Sequence, residues 1–180
     1  MDRATAEKAI DLYISTAKKA MSMFGHHGFF FFILTPEGAF PIDASPLLEA
    51  SDEARERGNA QAAERAKDTI ATQVRRIAKE RKAEGVVHIF EAWLSVEAAK
   101  ALQILGGDEP GMAKAAGMIA RYAPDRKEIL SVIWEFRLDS GERVDGVWTG
   151  FFERDGGRIK FTREERNDVA ALGRFTGLLT

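Results

Sequence analysis

A run of six consecutive apolar residues near the amino terminus constrains the fold more than any other feature of this chain. It reads Phe29-Phe30-Phe31-Phe32-Ile33-Leu34. A membrane-spanning helix needs about 20 apolar residues, so this run is too short to cross a bilayer. At an exposed sheet edge the same residues would pair with other chains and aggregate. We therefore expect residues 28–35 to form an interior strand of a buried sheet.

Two long amphipathic helices are predicted, one before and one after this strand. Residues 3–24 carry apolar side chains at spacings of three and four, and Gly25 follows as a helix stop. The same spacing recurs from Ala60 to about Lys82, after an expected break at Gly58-Asn59. Each helix has one apolar face, which predicts that it lies across a sheet.

The remaining elements are predicted to be strands. Residues 86–94 are mostly apolar on both faces, which is typical of a central strand covered on both sides. Pro41 has no N–H for a ladder, so the returning strand 39–43 should lie at a sheet edge. From residue 130 onward, apolar and polar residues alternate with a period of two. This alternation predicts an antiparallel meander of strands at 130–138, 143–154 and 158–162. We expect residues 164–180 to form a short helix and a loose tail.

These elements predict an α+β architecture in one domain, residues 1–180. Two long helices would pack on one face of a mostly antiparallel sheet of five or six strands. The Ala- and Gly-rich stretch at about 95–123 is predicted to be a helical insertion.

Composition excludes several classes of site and of partner. The chain has no cysteine, which excludes disulfides, a thiol nucleophile and thiolate metal sites. It has 26 Lys and Arg residues against 28 Asp and Glu, so it lacks the basic excess of a dedicated nucleic-acid binder. The first residues carry no secretory leader pattern, so we expect a cytoplasmic protein without a membrane segment.

Three short motifs resemble a loose set of uncharacterised bacterial and phage proteins. The motifs are Glu91-Ala92-Trp93, the P-x-R-x-E segment that begins at Pro124, and the turn Arg154-Asp155-Gly156-Gly157. The resemblance spans about residues 28–161. In such proteins the stretch between the first two motifs is usually shorter, which implies that 95–123 is an insertion. The resemblance implies no activity.

A few polar residues could carry chemistry. A hydrolase could use Glu91, Glu135 and His88 in a cleft beneath the 95–123 excursion, with the two carboxylates in general acid/base work. The alternative is that Arg126, Arg137 or Arg154 pairs with these carboxylates in a structural role. His88 and Glu91 are three residues apart in a strand and should point to opposite faces, and the adjacent His26 and His27 tend to diverge. We therefore expect no metal site and no cofactor.

A basic cluster on the second long helix could contact nucleic-acid phosphates. Its residues are Arg75, Arg76, Lys79 and Lys82. A solvated helix end is the commoner explanation, because cations are stabilised near a helix C-terminus. We regard nucleic acid as the weaker expectation.

The function that the sequence favours is that of a small non-enzymatic interaction or regulatory protein, of the kind that phages and mobile elements encode. Its partner would be another protein or a second copy of the chain. Exposed aromatic residues on the last hairpin and apolar residues of the excursion would supply the contacts. These candidate partner-binding residues are Leu102, Ile104, Leu105, Met112, Met118, Trp148 and Phe152.

Overall fold

The computed structural model describes residues 1–95, 124–168, 175 and 177–179. Three helices and six strands lie in this part of the chain, which confirms the predicted α+β class. In chain order they are α1 (Arg3–Phe24), β1 (Phe30–Thr35), β2 (Gly38–Asp43), α2 (Ser45–Glu56), α3 (Ala60–Glu80), β3 (Gly85–Leu94), β4 (Lys127–Arg137), β5 (Arg143–Asp155) and β6 (Arg158–Asn167). The predicted insertion lies almost entirely outside the described residues.

The six strands form one sheet in the order β2-β1-β3-β4-β5-β6, and all neighbouring strands are antiparallel. β1 pairs with β2 on one side and β3 on the other, so the phenylalanine run is an interior strand, as predicted. Pro41 lies on β2 at the sheet edge, where its missing N–H breaks no ladder between two interior strands.

Helices cover both faces of the sheet, so the prediction that both long helices pack on one face is wrong. Ile10, Ala17 and Met21 of α1 form one buried cluster with side chains of β3, β4 and β5. Ile70 and Val74 of α3 form a second cluster with the opposite face. A strand exposes alternate side chains to opposite faces, and the central strands here are apolar on both. Each face therefore needs its own helical cover. We call the two sides the α1 face and the α3 face.

Side chains at the helix ends explain where the helices begin and end. The Asp2 carboxylate accepts a hydrogen bond from the Thr5 N–H at the start of α1. Gly25 ends this helix in the left-handed conformation, with φ of 73°. Asn59 caps α3 by accepting from the Ala62 N–H, which confirms the predicted break before Ala60. Among the described residues, no helix is long and apolar enough to cross a membrane.

Two aromatic residues that we expected to be exposed on the last hairpin are buried. Trp148 and Phe152 are each 4% exposed and belong to the cluster under α1. Both have even numbers on β5, so they share the α1 face, while Phe151 is only partly buried on the other side. The expectation that Trp148 and Phe152 are exposed is therefore wrong.

The C-terminal region also differs from its prediction. β6 continues to Asn167, so residues 164–167 are strand and not helix. Leu178 and Leu179 are buried in the cluster on the α3 face, so they do not belong to a loose tail. We refer to Phe175 and Gly177–Leu179 as the C-terminal segment.

Candidate functional site

The three residues of the hydrolase hypothesis lie on different faces of the sheet. Ile89 belongs to the α1 face, and Glu91 follows it by two positions. His88 and Glu135 lie on the α3 face, because their neighbours Val87, Ile89, Trp134 and Phe136 all point to the α1 face. The sheet therefore separates Glu91 from the other two. The predicted divergence of His88 and Glu91 is confirmed. The excursion beneath which the cleft was expected lies outside the described residues.

Glu91 belongs to a polar network at the end of the sheet. Arg154 Nη2 donates to Glu91 Oε2 at 3.0 Å, and its Nε donates to Glu128 Oε1 at 3.0 Å. The same guanidinium donates to the carbonyl of Gly25, where α1 ends. The His27 N–H donates to the other Glu91 oxygen. One arginine thus ties the end of α1 to β3, β4 and β5, which is the structural role expected for Arg154.

An open cleft of about 180 Å³ lies beside this network. His27 lines this cleft, and its Nδ1 lies 2.8 Å from the carbonyl oxygen of Gly28. Because a carbonyl oxygen can only accept, Nδ1 is the donor in this contact. Three of the cleft's lining residues carry carboxylates, namely Glu49, Asp52 and Glu91. Its lining is His27, Gly28, Phe29, Ser45, Leu48, Glu49, Asp52 and Glu91.

His88 is enclosed by phenylalanine rings on the α3 face. Its imidazole stacks on Phe31 at 4.3 Å and on Phe90 at 4.5 Å between ring centroids. The rings of Phe29 and Phe175 close the remaining sides, edge-on. His88 is 2% exposed, and neither ring nitrogen has a hydrogen-bond partner among the described residues. Burial lowers the pKa of His88 to about 3, so the ring is neutral at physiological pH.

Glu135 holds the C-terminal segment on the same face. The backbone N–H groups of Leu178 and Leu179 both donate to Glu135 Oε2, at 2.9 and 3.1 Å. Arg143 Nη2 donates to this oxygen as well, at 3.1 Å. The Glu135 side chain is 6% exposed, so these bonds lie in a region from which water is largely excluded. We call the surface formed by Phe29, Phe31, His88 and Glu135 the docking site.

The apolar side chains of the C-terminal segment fill the docking site. Phe175 contacts Phe29, Phe31 and the His88 ring at centroid distances of 5.2 to 5.8 Å. Leu178 and Leu179 pack in the same cluster as Ile70 and Val74 of α3. From α3, Arg75 Nε donates to the carbonyl of Gly177 at 3.3 Å. Apolar anchors with backbone hydrogen bonds between them are the contacts by which proteins hold peptide segments.

One residue of the basic cluster contacts the C-terminal segment, and a second is paired within α3. Arg75 holds Gly177, and Arg76 contacts Gln73 and Glu80. Lys79 and Lys82 are exposed near the end of α3. Leu102, Ile104, Leu105, Met112 and Met118 lie outside the described residues. Within the described ranges, no group of three His, Asp or Glu side chains could hold a metal ion.

Sequence reasoning identified Glu135 and His88 but missed their connection to the C-terminal segment. The available signal was the apolar spacing of Phe175, Leu178 and Leu179, which is three and one. Such residues are seldom left in solvent together, and this spacing could have predicted a docked end of the chain.

Comparisons of the chain with protein-family models, with curated proteins and with solved structures find no match in any of the three.

Proposed function

We propose that this protein is a non-enzymatic interaction module that binds a peptide segment of a partner protein at the docking site. The observation that carries the proposal is that Glu135 accepts hydrogen bonds from the backbone N–H groups of two consecutive residues, Leu178 and Leu179. Backbone bonds of this kind supply affinity for a chain segment, while pockets for its side chains supply selectivity.

The C-terminal segment represents the ligand class in this proposal. It presents an aromatic residue to the cage of phenylalanines around His88 and two leucines to the face covered by α3. A partner segment with an aromatic residue, two intervening residues and then two leucines would make the same contacts. The chain's own segment would compete with it at an effective concentration in the millimolar range, as for short tethered ligands.

A catalytic role for the same residues has less support. Glu91 lies on the other face and is paired with Arg154. The His88 ring is covered by four phenylalanines, so a substrate could reach it only after the C-terminal segment moved away.

Binding in trans tests the proposal directly. The protein is the full chain with Leu178→Ala and Leu179→Ala, which weakens the resident segment, and the probe is a fluorescein-labelled hexapeptide with the sequence of residues 175–180. We expect saturable binding by fluorescence anisotropy with a Kd below about 1 mM. Binding to the wild-type chain should be weaker because the resident segment competes.

A second variant adds Glu135→Gln to the two leucine substitutions and tests the role of the carboxylate. It removes the carboxylate charge at nearly constant size, and we expect it to weaken binding of the hexapeptide. Circular dichroism establishes that each variant is folded. If the leucine variant is unfolded, Leu179→Ala alone replaces it. Folded variants that do not bind the hexapeptide at any concentration up to about 1 mM would refute the proposed function.

A further inference from the structure

A second carboxylate, that of Asp145, lies directly opposite Glu135 at the border of the docking site. Asp145 of β5 is the register partner of Glu135 on β4, so the two side chains point to the α3 face side by side. Glu135 Oε1 and Asp145 Oδ1 are both buried, and neither has a hydrogen-bond partner among the described residues.

Among the described residues, the positive charges near this pair leave one oxygen of each carboxylate without a hydrogen bond. Arg143 Nη2 is 3.1 Å from Glu135 Oε2 but 3.7 Å from Asp145 Oδ1, which is an ion-pair contact and too long for a hydrogen bond. From the α3 side, Arg75 donates to the carbonyl of Gly177. Like charges directly opposite one another on neighbouring strands repel, and buried carboxylate oxygens without donors are unfavourable.

We propose that Glu135 and Asp145 form a recognition site for an arginine side chain of the partner segment. This inference rests on the proposed function and specifies the chemistry of its ligand. A guanidinium group presents five N–H donors in a planar fork, so one arginine can donate to both free oxygens. A metal ion fits less well, because the described residues provide no third carboxylate or imidazole for it.

The contacts of the leucine pair with Glu135 suggest where the arginine belongs in the ligand. Phe175 contacts His88 on β3, and the N–H groups of Leu178 and Leu179 contact Glu135 on β4. Asp145 lies one strand further along, on β5. In a ligand with the same contacts, the residue after the second leucine is adjacent to a backbone N–H that donates to Glu135, so a long side chain at that position can extend to the carboxylate pair. The ligand therefore has an aromatic residue, two intervening residues, two leucines and then an arginine.

Three amidated hexapeptides test this inference on the full chain with Leu178→Ala and Leu179→Ala. The first has the sequence of residues 175–180, the second has arginine in place of the residue corresponding to Thr180, and the third has glutamine there. Charge-assisted hydrogen bonds in a buried site predict that the arginine peptide binds about 10- to 100-fold more tightly than the glutamine peptide.

Asp145→Asn is the decisive variant and Asp155→Asn is its matched control on the same strand. Asp155 is exposed at the end of β5. We expect Asp145→Asn to reduce the preference for arginine to less than about threefold and Asp155→Asn to preserve it. Equal affinities for the arginine and glutamine peptides would overturn the inference while leaving the proposed function intact. Absence of binding by all three peptides would refute both.

Discussion

Trp134 covers Gly146 across the β4–β5 pair on the α1 face. The two are register partners, and a Cβ atom on Gly146 would lie 2.3 Å from Trp134 Cζ2. Phe136 covers Gly85 across the β3–β4 pair in the same way, with a distance of 2.3 Å to Cδ1. Neither glycine has a positive φ. These glycines are therefore required by the packing of large rings onto the sheet and not by a turn.

Gly146→Ala should destabilise the protein by about 1–3 kcal/mol, because an added methyl group in a packed core forces side chains and backbone to shift. Urea unfolding followed by circular dichroism measures the change. The same substitution in a Trp134→Leu background should cost less, since the ring is gone and, of the three nearest atoms, only the Asn167 carbonyl oxygen, 2.8 Å from the added Cβ, still opposes it. Equal costs in the two backgrounds would show that the ring is not the cause.

The phenylalanine run provides a second test of the core. Phe31 is completely buried between β2 and β3, whereas Phe40 on the edge strand is 36% exposed. We expect Phe31→Ala to lower the free energy of unfolding by about 3–5 kcal/mol. Phe40→Ala is the matched control and should cost clearly less. A loss below about 1 kcal/mol for Phe31→Ala, by denaturant unfolding, would mean that the run is not core.

His88 should make the protein less stable in acid. Its folded pKa of about 3 lies below the unfolded value of about 6.5, so the unfolded chain binds a proton first as the pH falls. Between these two values the free energy of unfolding should fall by about 1.4 kcal/mol per pH unit from this group alone. His88→Phe should remove that contribution, and His26→Gln, at an exposed position, should not.

The free energy of unfolding of each variant is measured from pH 7 to 4.5, and the wild-type value at the same pH is subtracted. The carboxylates contribute equally to the wild-type and variant curves, so this difference isolates the histidine. A pH dependence of His88→Phe that parallels the wild-type curve would contradict the assignment of this slope to His88.

Local patterns in the sequence predicted the elements well because spacing alone determines which side chains share a face. The run at 29–34, the edge position of Pro41 and the end of α1 at Gly25 each follow from a few neighbouring residues. The side of the sheet on which each helix packs does not follow from neighbouring residues. Both α1 and α3 carry an apolar stripe, and no local pattern indicates on which side of the sheet each helix packs.

The candidate site depended on contacts that are distant in sequence. Leu178 is 43 positions from Glu135, and Arg154 is 63 positions from Glu91. The sequence indicated that each glutamate needs a donor, but it could not choose among many arginines and backbone N–H groups. Arg154 was among the expected partners of these carboxylates, whereas Arg143 and the C-terminal segment were not.

Arg154→Gln should loosen the junction between α1 and the sheet. It removes the contacts to Glu91, Glu128 and the Gly25 carbonyl together. Because the side chain is partly exposed, solvent screening limits the expected loss to about 1 kcal/mol. Arg158→Gln, at an exposed position on the same hairpin, should change stability by less than about 0.5 kcal/mol. Equal effects of the two substitutions in urea unfolding would contradict a joining role for Arg154.

Glu135→Gln should release the C-terminal segment while the rest of the sheet stays folded. The substitution removes the negative charge that the Leu178 and Leu179 N–H groups and Arg143 share, and a neutral amide oxygen accepts these bonds more weakly. Hydrogen exchange measured by mass spectrometry should show faster exchange in a C-terminal peptide that contains Leu178 and Leu179. Peptides from β3 and β4 should exchange as in the wild type, because their ladder bonds do not involve this side chain.

Glu142→Gln, at an exposed carboxylate in the β4–β5 turn, is the control and should leave C-terminal exchange unchanged. If hydrogen exchange in Glu135→Gln rises equally across the sheet, the carboxylate stabilises the whole fold and not the C-terminal segment alone.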